Sequence, residues 1–524
     1  MSQPADTAAT TPAEAPYGLA RPSSPWVRAL LALGAGAALA AAFAPREIWP
    51  LALVCPAVLM WLWQDASPRE AARLGFAFNA GTFAAGTWWL YISIHIFGEA
   101  PVWLALVLML GLIAIMGAYQ AALGYAVARW LPRGGALRHL AALPAAWLLV
   151  EWWRGWFLSG FAWLSLGYSQ SDTWLAGLAP VVGVYGISAV LLVGAGALTI
   201  LVCGPRRGRI GAVLALTLPW LAGGVLRELS WTIASGPPVS VAVVQGAIPQ
   251  DEKWLDSNRD TTLKLYQTLT ERTLGTQLIV WPESAPADTA NNLVPYISNL
   301  YREAHSHGSA LVIGVLREEG GSDADPTRYY NSVLALDAQV SWYDKHHLVP
   351  FAEFFPVPRL VRSWLRLMSL PYSDFTPGAA YQPPLPAAHL KLGTTVCYED
   401  AYGSSMLKGL DSADALVNVT NDAWFGHSSA RYQHFQIARM RALEAGRYLI
   451  RAANDGVSAV IGPRGEVLAR APEFRPFVLV SQVTPRTGLT PYAHVGNWLI
   501  VILACGALAY GLGVRNDRLW RTRT

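Results

Sequence analysis

At 524 residues the chain is long enough for several domains, but 53% of it is hydrophobic and only 14% charged, against about 25% charged in an ordinary globular chain. The deficit is uneven: residues 26–226 are almost wholly apolar and residues 237–489 have soluble composition, which excludes a single soluble domain. The formal charge of +4 sits mostly in short arginine-bearing loops, so no nucleic-acid partner is expected.

Residues 1–24 are rich in Ala, Pro and Thr, with little to bury, and read as a disordered tail. Seven apolar segments follow at 27–44, 49–63, 74–97, 102–128, 140–157, 181–203 and 210–225, and an eighth at 495–514. Each is near the ~20 residues that cross a ~30 Å hydrocarbon core. The arginines test that count. Arg21 and Arg28 precede the first segment, Arg69 and Arg73 follow the second, and Arg129, Arg133 and Arg138 follow the fourth. Arg206, Arg207 and Arg209 follow the sixth, and Arg515, Arg518, Arg521 and Arg523 the last, whereas the intervening loops hold little beyond Arg46 and Arg227. The positive-inside rule then puts both termini and every even-numbered loop in the cytoplasm and the soluble part on the outer face. A cleaved signal peptide is not expected, because no small-x-small site precedes the second segment. The predicted organisation is a cytoplasmic tail (1–24), transmembrane helices 1–7 (25–230), an extracytoplasmic domain (237–489), transmembrane helix 8 (494–514) and a basic cytoplasmic tail (515–524).

The soluble part alternates strand-like and helix-like patterns. Strands are predicted at 239–248, 277–281, 310–316, 328–336, 340–345, 415–420, 449–453, 457–461 and 477–483, with another leading into Cys397, and helices at 259–274, 294–307 and 431–447. Such alternation indicates a layered α/β domain with helices covering sheet faces. Residues 350–377 differ. They mix Phe351, Phe354, Phe355, Trp364 and Met368 with Arg359, Arg362 and Arg366, an arm that either lies in a membrane interface or covers the domain's own core.

Cys55, Cys203 and Cys505 fall in or beside apolar segments, so Cys397 is the only cysteine of the soluble part. It has no disulfide partner there and is either a small buried hydrophobe or a nucleophile. Two other strand ends decide between these. Gln-Leu-Ile-Val-Trp-Pro-Glu ends at Glu283, where Pro282 stops ladder pairing, and Trp-Tyr-Asp-Lys-His-His-Leu-Val-Pro supplies Lys345. A free thiol of pKa ~8.5 is only a few per cent thiolate near neutrality and needs a base or cation beside it. Glu283 can take the proton, Lys345 can stabilise thiolate and oxyanion, and the backbone N–H of Tyr398 is a second oxyanion donor.

The segments Trp-Pro-Glu, Tyr-Asp-Lys-His-His-Leu-Val-Pro-Phe-Ala-Glu-Phe and Val-Cys-Tyr-Glu resemble the Glu-Lys-Cys motifs of the nitrilase, or carbon–nitrogen hydrolase, superfamily. Within it, Val-Val-Gln-Gly-Ala-Ile-Pro-Gln (243–250), Asn-Asp-Ala-Trp-Phe-Gly (421–426), Ala-Arg-Met-Arg-Ala-Leu-Glu (438–444) and the eight-segment frame resemble the apolipoprotein N-acyltransferase family. The resemblance runs from about residue 25 to residue 514. It implies eight transmembrane helices plus an αββα nitrilase-like extracytoplasmic domain, in a multi-pass protein of the bacterial inner membrane. By the same resemblance Glu283 is the general base, Lys345 the oxyanion stabiliser and Cys397 the nucleophile. Glu353, Tyr398 and Glu399 support them, and Trp254, Trp424 and Glu444 match positions around the pocket and lid. The implied reaction moves an acyl chain from a phosphatidylethanolamine-like phospholipid to Cys397 and then to the N-terminal amine of a diacylated apolipoprotein, in the bilayer and without a cofactor.

Glu151 and Arg154 share a helix face. They either form a functional intramembrane pair, with Arg154 holding a lipid phosphate, or mark the helix end beside an interfacial belt of Trp152, Trp153 and Trp156. No metal site is expected, since His346 and His347 are adjacent rather than at i, i+4 spacing. His427 and His434 read as polar surface or helix residues, and no glycine-rich loop suggests a nucleotide. Two alternatives share parts of this reading: a membrane-anchored amidase that passes the acyl group to water, and a transporter with an outer domain.

Overall fold

The computed structural model describes residues 19–132, 134–204, 208–321, 327–354 and 375–521. Expectations placed on residues 1–18, on residues 355–374 of the aromatic and basic arm and on the last three residues lie outside them. The N-terminal part is a bundle of apolar helices: α1 (Pro25–Leu39), α2 (Leu51–Leu62), α3 (Pro68–Gly86), α4 (Val102–Trp130), α5 (Leu143–Arg154), α6 (Ala179–Cys203) and α7 (Arg209–Arg227). Among the described residues four stretches, Pro25–Ala42, Val102–Trp130, Trp174–Cys203 and Arg209–Arg227, are long and apolar enough to cross a membrane, and Leu51–Leu62 and Trp498–Val514 are shorter apolar helices. The stretch containing α6 has 61% of its apolar window buried, against 11–22% for the other three, so α6 is the central helix and the others present apolar surface outward.

Local chemistry sets several boundaries. Pro68 opens α3, and the Ser67 hydroxyl caps it by accepting from Glu70 N. Arg21 and Arg28 both pair with Glu70, at 2.8 and 2.7 Å. The predicted segment at 74–97 divides into α3 and a separate wide turn, Ile92–Phe97. α6 is broken near its start by Gly183, whose φ of +65° is open to glycine and strained for other residues.

Strand β1 (Ile233–Ala234) pairs antiparallel with β14 (Arg486–Thr487), so the chain enters and leaves the soluble domain side by side. Between them lie two six-stranded sheets. The first has the order β13-β2-β3-β4-β5-β6, formed by β2 (Val239–Gln245), β3 (Leu278–Val280), β4 (Ala310–Glu319), β5 (Arg328–Leu336), β6 (Val340–Asp344) and β13 (Phe477–Val483). The second has the order β12-β11-β10-β9-β8-β7, formed by β7 (Leu385–Ala387), β8 (Leu390–Val396), β9 (Ala415–Thr420), β10 (Leu449–Ala453), β11 (Ala459–Ile461) and β12 (Val467–Arg470). The central trios β2–β3–β4 and β8–β9–β10 are parallel and the flanking pairings antiparallel.

Alternation along each strand divides the apolar residues between two cores. Val241, Val243, Val280, Val312, Val396, Val417 and Val419 meet between the sheets. Ala242, Val244, Ile279, Leu311 and Ile313 turn outward under α8 (Asp256–Glu271) and α9 (Val294–Ser306), against Tyr266, Leu269, Ile297 and Leu300. On the far side α10 (Ala430–Ala445) packs Phe435, Ala438 and Ala442 over Leu416 and Leu449. This is the αββα sandwich, and strands buried on both faces explain its near-continuous apolar runs. After it the chain returns to the bundle as α11 (Trp498–Arg521).

Candidate active site

Three loops leave the sheets and converge. Glu283 follows β3, where Trp281 N still bonds Val312 O at 2.8 Å before Pro282 ends the ladder. Gly314 on β4 makes room for this turn, since a Cβ there would run into Pro282 O. Lys345 follows β6 and Cys397 follows β8. Cys397 has φ +53°, a conformation strained for a residue with a Cβ and held only where surrounding contacts impose it.

Lys345 is 1% exposed. Its Nζ lies 2.9 Å from Glu353 Oε1 and 3.6 Å from Glu283 Oε1. Asn331 joins both carboxylates, donating through Nδ2 to Glu283 Oε1 at 2.7 Å and Glu353 Oε1 at 2.9 Å. Two backbone donors complete the set: Asn421 N to Glu283 Oε2 at 2.9 Å and Val349 N to Glu353 Oε2 at 2.8 Å. Burial opposes the charge on Lys345, but Glu353, then Glu283 and the Cys397 sulfur, outweigh it and hold the lysine pKa above its ordinary value. The thiol behaves oppositely. Burial, then Glu283, push the Cys397 pKa well up, and Lys345 and the Thr420 hydroxyl only partly offset this. A thiol in this state is protonated at neutral pH, so attack requires a base, and the Glu283 carboxylate stands in the same cluster.

Glu399 ties two of the loops together. It accepts from His346 N (2.7 Å), His347 N (3.0 Å), Val396 N (2.8 Å) and the Tyr343 hydroxyl (3.0 Å). Its pKa is nevertheless raised, because burial outweighs these donors. Tyr398 points to the helical bundle: its hydroxyl lies 3.0 Å from Gly160 O and against the Tyr402 hydroxyl, which lies 2.6 Å from Ser159 O, so two hydroxyl protons serve these three contacts. The Cys397 turn therefore rests directly on the loop that follows α5. Trp254 is 48% and Trp424 36% exposed. Trp424 sits on the turn after β9 and accepts through its backbone oxygen from Ser93 of the bundle, at 2.8 Å.

Glu444, matched by resemblance to a position around the pocket and lid, is buried, accepts from Val184 N at 2.7 Å just past the Gly183 break and pairs with Arg441 at 2.7 Å. A carboxylate on the freed N–H groups of an interrupted helix is a cap, and it docks α10 onto α6. Of the two alternatives for Glu151 and Arg154, the helix end is seen: α5 stops at Arg154, which is buried and directs its donors at Phe161 O (2.7 Å), Trp163 O (2.8 Å) and Ser165 Oγ (3.3 Å), folding the loop after α5. Glu151 accepts from Leu166 N at 3.4 Å. Both line a cavity of about 30 Å³ with Asn79 and Gln120, enough for a water or two.

Sequence reasoning missed several groups. Asn331 lies mid-strand and gives no signal. Lys253 is buried, donates to Glu283 O at 3.1 Å and, chiefly through burial, has its pKa lowered to about 8; its neighbour Trp254 was visible and the lysine was not. His434 does lie on a helix, α10, but its side chain is wholly buried. His427 stacks on Phe474, centroids 3.9 Å apart. Among the described residues no group of three or more His, Cys, Asp or Glu side chains is arranged to hold a metal ion.

A thiol, a carboxylate and a buried ammonium on an αββα sandwich, set against an apolar helical bundle, define a carbon–nitrogen-hydrolase-type domain carried by a membrane protein. The carbon-nitrogen hydrolase profile matches residues 240–492, and the profile of the apolipoprotein N-acyltransferase N-terminal domain matches residues 35–198. An apolipoprotein N-acyltransferase of Methylococcus capsulatus is 42% identical over 91% of this chain and 94% of its own. Those of Azotobacter vinelandii and Pseudomonas syringae pv. tomato are each 40% identical, over 93% and 95% of this chain and 95% and 98% of theirs. The chain belongs to the apolipoprotein N-acyltransferase family. Among solved structures, a carbon-nitrogen hydrolase from Helicobacter pylori G27 aligns with 47% of this chain and 89% of its own, at 19% identity and a TM-score of 0.35.

Proposed function

We propose that this protein moves a fatty acyl chain from a phospholipid to the N-terminal amine of a diacylglyceryl-cysteine on an apolipoprotein, through a thioester on Cys397. The Glu283 carboxylate takes the thiol proton as sulfur attacks the ester carbonyl of a phosphatidylethanolamine-like donor. The tetrahedral oxyanion is met by the Lys345 ammonium and the Tyr398 N–H. When it collapses the ester C–O bond breaks, and the lysophospholipid alkoxide leaves with the proton returned by Glu283. The α-amine of the acceptor then attacks the thioester, Glu283 takes the amine proton, the C–S bond breaks and the thiol is restored. One site serves two substrates in turn, the logic of ping-pong transfer.

The single observation that carries this reading is the seating of the nucleophile turn on the helical bundle, through Tyr398 and Tyr402 on Gly160 and Ser159. Each CH₂ drawn from lipid into water costs ~0.8 kcal/mol, so lifting a sixteen-carbon chain clear would cost roughly 12 kcal/mol; a site resting on the bundle avoids that. The relatives' name, the clustered Glu283, Lys345 and Glu353, and the exposed Trp254 and Trp424 beside them support the same reading. In it the two tryptophans border the lipid entrance.

The proposed frame has eight membrane spans over 25–230 and 494–514, both termini in the cytoplasm, and the domain at 237–489 facing the periplasm from the bacterial inner membrane. The arginine distribution supports it, as does the paired entry and exit at β1 and β14. Incubation of the purified protein with phospholipid and a diacylated lipopeptide should yield the N-acylated peptide and lysophospholipid. Release of free fatty acid alone, with the peptide unmodified, would overturn the transferase reading in favour of a hydrolase.

A further inference from the structure

The Cys397 carbonyl belongs to the same peptide group as the Tyr398 N–H, and two side chains hold it. Asn418 Nδ2 donates to Cys397 O at 3.2 Å from β9, and His434 Nε2 lies 3.2 Å from the same oxygen on α10. His434 also has Asp400 Oδ1 3.1 Å from Nε2 and Asp422 Oδ1 2.8 Å from Nδ1. Both ring nitrogens thus face oxygen acceptors, and an imidazole satisfies two acceptor sides only when each nitrogen carries a proton. Arg451 closes the ring of charge, with Nη1 3.2 Å from Asp400 Oδ2 and Nη2 2.9 Å from Asp422 Oδ2, and Nη1 2.5 Å from Asn418 Oδ1. Burial and Arg451 oppose the proton on His434, but Asp400 and Asp422 outweigh them and raise its pKa to about 9.

This network touches none of Glu283, Lys345 or Glu353, yet it is fully buried and ends on the nucleophile's own backbone. A carbonyl that accepts hydrogen bonds polarises its peptide and makes the N–H on the other side a stronger donor, and a cationic donor does so more strongly. The same contacts brace the φ of +53° at Cys397. We infer that His434 is a positioning residue for acyl transfer: as an imidazolium clamped between Asp400 and Asp422 it works with Asn418 to fix and polarise the Cys397–Tyr398 peptide, so that the Tyr398 N–H is aimed and strengthened as an oxyanion donor. This rests on the reading of Cys397 as the acyl-bearing nucleophile.

The test uses the full chain in lipid nanodiscs and a phospholipid carrying ¹³C at the acyl carbonyl. Two variants are compared with the unaltered protein: His434→Gln, which removes the cation, and Asn418→Asp, which keeps an acceptor for Arg451 and loses the amide donors. Readouts are the single-turnover acylation rate, its dependence on lipid concentration and the infrared stretch of the labelled thioester carbonyl. The expected result is acylation slowed about 10- to 100-fold, less than the ~10²–10³-fold cost of deleting an oxyanion donor outright. Apparent lipid affinity should stay unchanged, and the thioester band should move to higher wavenumber as its polarisation weakens. Should His434→Gln fail to fold, Asn418→Asp decides by the same readouts. A band that stays in place, whether acylation is normal or slowed only through loss of folded protein, would overturn the inference. Absence of any thioester band in the unaltered protein would instead remove the reading of Cys397, and the inference with it.

Discussion

Nζ of Lys345 lies 2.9 Å from Oε1 of Glu353, nearer than the 3.6 Å that separates it from Glu283. The ammonium is therefore held by one carboxylate and shared with another, which leaves Glu283 free to exchange a proton. Glu353→Gln removes the larger of the two attractions that keep a buried lysine charged. We expect activity to fall at least about 100-fold with a native-like fold, while stability drops by no more than the ~3–5 kcal/mol typical of a broken buried pair, because Glu283 and Asn331 remain. Thermal midpoints measured beside turnover check this. A Glu353→Gln protein with full activity would show that Lys345 needs no second carboxylate.

Glu399 accepts three backbone N–H groups and the Tyr343 hydroxyl. An amide in its place presents an NH₂ to at least one of those donors. Each buried donor left unmatched costs about 1–3 kcal/mol, so Glu399→Gln should lose stability on that order and displace the segment from Lys345 to His347. The accompanying loss of acylation should appear as a lower maximal rate rather than weaker lipid binding.

The carboxylate of Glu444 caps Val184 N and pairs with Arg441. Glu444→Ala should cost about 1 kcal/mol for the lost cap and more for the stranded guanidinium. Limited proteolysis should then release the soluble domain from the bundle earlier than in the unaltered protein, and Glu444→Gln should be milder because it retains an acceptor for Val184.

Much of this was legible in the chain. The apolar segments, the sandwich strands and the Glu283, Lys345 and Cys397 strand ends each leave a local signature: a run of apolar residues, an alternation, or a reactive residue after a β-rich stretch. Strands at Arg328–Leu336, Ala415–Thr420 and Leu449–Ala453 fall at their expected bounds. The residues that link elements were not legible. Asn331, Asn418 and Lys253 are polar groups in or beside ordinary strands and turns, and only the folded pairing of distant segments turns them toward the site. The cap made by Glu444 was not legible for the same reason, since a cap is defined by the helix that it meets and the break at Gly183 is a property of backbone geometry.

The charge on His434 makes a pH prediction. Its pKa rises from 6.5 unfolded to about 9 folded, so the folded state binds the extra proton and the stabilisation is complete below about pH 6.5 and lost as pH passes 9. The thermal midpoint of the unaltered protein minus that of His434→Gln should therefore shrink as pH rises from 6.5 to 9.5. A difference that stays constant over that window would mean that His434 is neutral in the fold.

The central claim is that Cys397 carries the acyl group. Incubation of the purified protein with a single-species phospholipid, followed by intact-mass measurement, should show an added mass of one acyl chain, removed by neutral hydroxylamine and absent in Cys397→Ala. Unchanged mass in the unaltered protein while it transfers acyl groups to lipopeptide, or the same added mass in Cys397→Ala, would contradict the account.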